Sequence, residues 1–204
     1  MCWARLAVSG YPAILGRYPE DGLKYYGQYL PEGWQEDLKE ICQKLDFYTQ
    51  NIYEGDEVRA ADNADGYETV PYPKGHPRTA FGWPITPRAL YWGPRFLWER
   101  YKLPFMISEN GMSCHDRVML DGKVHDPNRI DYLRRYLKEL KRASEDGADI
   151  RGYFCWSLMD NFEWAQGYSE RFGLVYVDYP TGKRIPKDSF EWFAETIRTN
   201  GENL

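Results

Sequence analysis

The chain has 204 residues, enough for one domain with a substantial core and too few to suggest two. Its net charge of -5, with Lys and Arg dispersed among acids, offers no basic stripe for a phosphate backbone and argues against a nucleic-acid partner. No run approaches the ~18 apolar residues of a membrane span and the N-terminus lacks a secretion signal, so a soluble, cytoplasmic protein is expected. Cys2, Cys42, Cys114 and Cys155 are scattered without CxxC spacing and read as small hydrophobes rather than as a zinc site or disulfide framework. Aromatic content is high at 17%, and many of the 8 Trp and 17 Tyr sit beside Gly, Asn, Asp or Glu, which suits contact with sugar faces as well as core packing.

Trp34, Leu38, Ile41 and Leu45 recur at helical spacing, so a helix over 34–45 is predicted, followed by a strand over 46–51. Gly and Pro then cluster between 71 and 87, as in a loop. Thr86-Pro87 has the form of a helix start, with Thr as N-cap and Pro in the first turn, leading into 88–101. Pro94 should kink that helix or restart it near 93–94. Phe105 to Ser108 is a short apolar strand ending in Glu109-Asn110-Gly111. Asp126-Pro127 repeats the cap-plus-proline signal before an apolar stripe of Ile130, Leu133, Leu137 and Leu140, which Gly147 closes. Residues 150–158 follow as another buried strand, then a strand over 174–179, a turn at 180–183, and a terminal helix from Asp188 with Glu191 as its capping partner.

Helices alternating with short buried strands predict a parallel sheet with covered faces, either doubly wound or a barrel. Chemistry-bearing residues stand at the C-terminal ends of three successive strands: Asn51 and Tyr53, then Glu109, then Trp156 with Glu163 and Trp164 just beyond. Barrel enzymes build their sites at that end, whereas a doubly wound sheet uses a switch point between strands. No GxGxxG or GxxxxGK[ST] follows any strand, which weakens a nucleotide-binding reading.

A carboxylate directly after a buried strand must be paired or functional, and spacing alone leaves both an attacking and a loop-anchoring role open for Glu109. The run from Met106 to Gly111, after Leu103-Pro104-Phe105, resembles the nucleophile motif of glycoside hydrolase family 1, mostly retaining β-glucosidases and related β-glycosidases. A second block, Trp156 to Tyr168 continuing into Arg171-Phe172-Gly173-Leu174, follows that family's pattern with hardly a departure. Gly10 to Pro19 is similar to a further family segment, and Asn51-Ile52-Tyr53 resembles its NYY motif, departing only at Ile52. The resemblance implies that Glu109 is the nucleophile, that Tyr53 hydrogen-bonds it, that Trp156 packs under the sugar ring, and that Glu163 and Trp164 bind sugar hydroxyls. Trp83, in Gly82-Trp83-Pro84-Ile85, resembles a Trp on the leaving-group side, with plain core packing nearly as apt. Asn51 and Phe172 join the substrate-binding candidates. No carboxylate-His cluster has metal-ligand spacing, and the family needs no cofactor.

The implied fold is α/β, a partial TIM (β/α)8 barrel holding its C-terminal strands and helices, about strands 6–8, with residues 1–204 as a single region. Retaining hydrolysis needs two carboxyl groups roughly 5–5.5 Å apart. The family takes its acid/base from a Thr-x-Asn-Glu-Pro motif that does not occur here. Glu163 matches a sugar-binding position rather than a substitute acid, Asp160 is no better placed, and His115 and Asp116 read as structural. The expected partners are a β-glucoside or other β-glycoside substrate and a complementary N-terminal fragment. The isolated chain should hydrolyse glycosides very slowly or not at all. The alternative is a non-catalytic carbohydrate-binding fragment or pseudoenzyme.

Overall fold

The computed structural model describes residues 10–204; Cys2 and the stretch in which a secretion signal was sought lie outside the described residues. In chain order the elements are α1 (Glu20–Tyr26), α2 (Trp34–Ile41), β1 (Tyr48–Asn51), β2 (Val58–Ala60), β3 (Tyr67–Thr69), α3 (Ala89–Tyr101), β4 (Phe105–Asn110), α4 (Pro127–Glu145), β5 (Ile150–Cys155), β6 (Val175–Asp178), β7 (Lys183–Pro186) and α5 (Asp188–Arg198). β1, β4 and β5 form a parallel sheet in that order, with α3 and α4 as crossovers, so the fold is mixed α/β with a partial parallel sheet. Among the described residues no helix is long and apolar enough to cross a membrane.

The core lies between one face of this sheet and the helices. Phe105 and Ile107 of β4 pack with Leu90, Leu97 and Tyr101 of α3 and with Tyr132, Leu133, Tyr136, Leu137 and Leu140 of α4, all buried. The apolar stripe predicted on α4 is this contact, except that Ile130 lies to the side, and Gly147 closes the helix at φ +100. Gly is suited there because a side chain would strain a left-handed backbone.

Several local expectations give way to tertiary structure. The 34–45 helix stops at Ile41, and Ile41 and Leu45 are exposed, so only Leu38 of that stripe is buried. The strand expected over 46–51 begins at Tyr48. Thr86 does not cap α3; its hydroxyl accepts the Gly55 amide at 3.0 Å instead, and the helix begins after Arg88. The helix runs through Pro94 as one element, with Leu90, Pro94 and Leu97 buried together, and that packing offsets the hydrogen bond the proline cannot donate. β5 ends at Cys155 and no residue in it is fully buried. Phe154 is 59% exposed, because the strand is at the edge of the three-stranded sheet and only the helix-side face is covered.

The expected caps are also redirected. Asp126 is the N-cap residue of α4 and Pro127 follows it, as predicted, but the Asp126 side chain bonds elsewhere and accepts from the Ser189 amide (2.8 Å), the Ser189 hydroxyl and Arg129. Asp188 has no capping box with Glu191; the N-cap is Lys187, and the Asp188 carboxylate meets His125 Nδ1 at 2.6 Å. Burial raises the Asp126 pKa even though Arg129 and Ser189 pull it down.

His125 Nε2 lies 3.0 Å from Asp121, so the imidazole sits between two carboxylates, whose hydrogen bonds raise its pKa above 6.5. A folded-state pKa above the unfolded one adds stability that is complete below 6.5 and is lost as pH rises through the folded value. An NMR titration should place the His125 midpoint above 6.5. The unfolding temperature should fall as pH rises from 6.5 through that midpoint in the parent and lose that component in His125→Gln.

Candidate active site

The C-terminal end of the sheet is fixed by Asn110, which is fully buried at the end of β4. Its Nδ2 donates to the Ile52 carbonyl (2.8 Å) and the Tyr132 hydroxyl (3.1 Å), while Tyr153 donates to its Oδ1 (2.8 Å). One side chain thus ties the ends of β1, β4 and β5 to α4. Beyond β1, the Tyr53 carbonyl accepts from Tyr132 (3.3 Å) and Tyr136 (3.1 Å), so the Tyr53 backbone is held from the helix side.

That backing aims the Tyr53 side chain the other way. Its hydroxyl donates to Glu109 Oε2 at 2.7 Å. Burial first, then the hydrogen bond and charge of Glu109, with Glu163 adding to them, push the phenol pKa far up, so Tyr53 is a neutral donor at any ordinary pH. The Tyr53 ring packs on Trp83 (5.0 Å between centroids) and Phe172 (6.4 Å), and Phe81 closes the cluster against Trp83 at 4.5 Å. Phe172 is 2% exposed, so it supports Tyr53 and Trp83 and presents almost no surface to a ligand, contrary to its place among the substrate-binding candidates.

The next strand adds the second half. The Trp156 amide donates to the Asn110 carbonyl at 2.9 Å, and the Trp156-Ser157 peptide is cis. The Trp156 indole N–H donates to Glu163 Oε2 at 3.4 Å, a long bond, and the Glu163 amide donates to the Gly167 carbonyl at 2.7 Å. Tyr53, Glu109, Trp156 and Glu163 therefore converge. Asn51 stands beside them at the end of β1, exposed, accepting from the Ser108 hydroxyl at 2.7 Å. Trp164 has a left-handed backbone, φ +41, and is 82% exposed, so it stands at the rim without packing into it. A separate cavity of about 650 Å³ lies between β1, the β2–β3 hairpin and α3, and neither Glu109 nor Trp156 lines it.

Residues 6–202 match Glycosyl hydrolase family 1. The chain belongs to that family. Beta-glucosidase A of Thermotoga maritima is 44% identical over 191 residues, covering 93% of this chain and 43% of that protein. The bifunctional beta-D-glucosidase/beta-D-fucosidase of Bifidobacterium breve is 43% identical over 209 residues, covering 91% and 45%. The structure of the Thermotoga maritima beta-glucosidase in complex with castanospermine superposes with a TM-score of 0.87 at 44% identity, over 96% of this chain and 44% of that one. The family 1 chain thus spans less than half the length of the curated relatives it matches.

Behind the site is a feature that the sequence did not disclose. Arg129 pairs with Asp116 (2.6 Å) and Asp126, Lys187 with Asp116 (2.6 Å) and Asp160 (2.8 Å), and Arg171 with Asp160 (2.6 Å). Five of these six side chains are at most 3% exposed. Asp116 is structural, as expected, but its partners come from α4 and from the residue before α5, distant in sequence. The available signal was Arg129, a charge in the first turn of a helix whose later turns are apolar on the same side. Cys114 and Cys155 sit half-buried near this region, and burial raises their thiols to about 11 and about 12.

Gly111 connects the two halves. A Cβ there would lie 1.8 Å from the Trp156 carbonyl oxygen, a backbone atom that cannot swing aside. Gly111→Ala should destabilise the chain by about 2–3 kcal/mol in chemical denaturation, as overpacking does, and should displace Trp156 from Glu109.

Proposed function

We propose that this chain is the nucleophile-bearing C-terminal part of a retaining β-glycosidase acting on β-linked glucosides. The observation that carries the reading is the 2.7 Å hydrogen bond from the neutral Tyr53 phenol to Glu109 Oε2, beside the Trp156–Glu163 pair. A phenol that stays protonated orients a carboxylate without taking its charge. In this reading Glu109 attacks the anomeric carbon, the glycosidic C–O bond breaks, and the ester formed is later hydrolysed by water. Trp156 lies under the sugar ring, Glu163 and Trp164 hold glycone hydroxyls, Asn51 borders the site, and Trp83 faces the leaving group. The related Thermotoga maritima protein, a beta-glucosidase solved in complex with castanospermine, supports the glucoside reading.

In the same reading residues 1–204 are one region, and β1, β4 and β5 are about strands 6–8 of a (β/α)8 barrel. A complementary N-terminal segment supplies the remaining strands and the carboxylic acid that protonates the leaving oxygen. The relatives' greater length and the uncovered outer edge of β5 support this arrangement.

A glycosyl donor whose leaving group departs unprotonated bypasses the acid. Incubation with a 2-deoxy-2-fluoroglucosyl fluoride should therefore add one fluoroglucosyl mass to the protein, located on the peptide holding Glu109, and Glu109→Gln should abolish it. Glucose binding without any labelling would favour the carbohydrate-binding alternative, and absence of both would sink the proposal. Tyr53→Phe removes the donor to a charged acceptor and should slow labelling about 10–100-fold, read as a pseudo-first-order rate by intact-mass spectrometry.

A further inference from the structure

Lys187 precedes α5, yet its side chain is fully buried and its ammonium bridges two loops. It donates to Asp116 Oδ2 at 2.6 Å and to Asp160 Oδ1 at 2.8 Å. Asp116 stands in the loop that leaves β4, beyond Glu109, and Asp160 in the loop that leaves β5, between Trp156 and Glu163. We propose that Lys187 is a positioning residue that clamps the Trp156–Glu163 segment to the strand carrying Glu109. This rests on the glycosidase reading above for its meaning in catalysis, though the clamp itself can be tested without sugar.

The loop geometry leaves Asp160 little alternative. Its Oδ1 also accepts the Gly173 amide (3.0 Å), and its Oδ2 accepts from Arg171 (2.6 Å) and the Val177 amide (3.3 Å). The loop is folded down on Gly173, where a Cβ would lie 2.1 Å from the Asp160 nitrogen. On the near side of Asp160, Ser157 exchanges backbone bonds with Phe172 and Leu174, and Asn161 returns to the Ser157 hydroxyl at 2.9 Å. With Asp160 held, both Trp156 and Glu163 are within four residues of a fixed point. Without the ammonium, Asp116 would keep Arg129 and Asp160 would keep Arg171, but the two carboxylates would lose the charge that stands between them, and the loop that carries Asp160 would lose its tie to the loop that leaves β4.

The test compares Lys187→Met, Lys187→Arg and the charge-balanced pair Lys187→Met with Asp160→Asn by amide hydrogen exchange and by the Trp156 indole N–H resonance. In Lys187→Met, or in the double variant should the single one not fold, exchange over 157–163 should rise at least about tenfold while α4 stays within about twofold, and the indole resonance should move. Lys187→Arg should restore part of the protection. Equal loosening of α4 and of the loop, unchanged exchange over 157–163, or failure of both Lys187→Met variants to fold would each overturn the assignment, the last by making Lys187 a fold-holding group. Loss of loop order with fluoroglucosyl labelling absent even in the parent would leave the clamp standing and count against the glycosidase reading alone.

Discussion

Three carboxylates and two cations are buried behind the ends of β4 and β5, with the half-buried Arg171 as a third cation, and the loops of the site take their shape from the need to leave none of them alone. Desolvation makes such a group costly to assemble, and removing one member of a buried pair costs about 3–5 kcal/mol because its partner is stranded. A replacement by apolar residues of the same volume could be as stable. What the ionic version adds here is geometry: each charge admits a few donor positions, and those positions belong to different segments. Asp126 links the start of α4 to Ser189 of α5, Asp116 links the loop after β4 to both Arg129 and Lys187, and Asp160 links the loop after β5 to Arg171 and Lys187.

The two faces of the sheet are unequal. On the helix side, Ile107, Leu90, Leu133 and Tyr136 have no exposure, and this half of the core is complete within the chain. On β5 and in the loop after it, Phe154, Leu158 and Phe162 are each more than half exposed, and Trp164 more so. Apolar surface gathered at one sheet edge and the loop after it is what a covering partner would remove from water. The site residues lie at the boundary between the two regions. Tyr53 is backed by the finished core, and Trp156 and Glu163 stand on the unfinished side.

The order of strands and helices was legible in the sequence because period and punctuation coincide: apolar runs end at Glu109 and near Trp156, and Pro127 and Gly147 bracket a helix whose stripe meets the core. Glu109, Tyr53, Trp156 and Glu163 were legible only through the likeness of their motifs to a family, since a strand-end glutamate alone could equally anchor a loop. The bonds of the cap side chains were misread for one reason throughout, even where, as at Asp126, the cap position itself was right. Thr86, Asp126 and Asp188 are good local cap residues, but each has a partner distant in sequence, Gly55, Ser189 and His125, that offers a better bond than the first turn of its own helix. Local patterns cannot rank such competitors, and for the same reason Arg129 and Lys187 gave no sign of where they would end. Phe154 failed differently: its apolar run reads as buried whether or not the covering layer is part of the same chain.

The distribution of cations separates the carboxylates by chemistry. Asp116, Asp126 and Asp160 each face a guanidinium or ammonium, which holds their electron pairs and leaves them poor attackers. Among the described residues no cation pairs with Glu109 or Glu163, whose recorded donors are the Tyr53 phenol and the Trp156 indole, both neutral. A neutral donor fixes the direction of a carboxylate and lowers its energy only modestly, so in the proposed reading the charge stays available for an electron-poor carbon or for hydroxyl hydrogens. Had Lys187 or Arg171 reached Glu163, the same loop would be as rigid, but its carboxylate would be committed to the protein. The network confines its cations to Asp116, Asp126 and Asp160, and that placement leaves both glutamates outside its ion pairs.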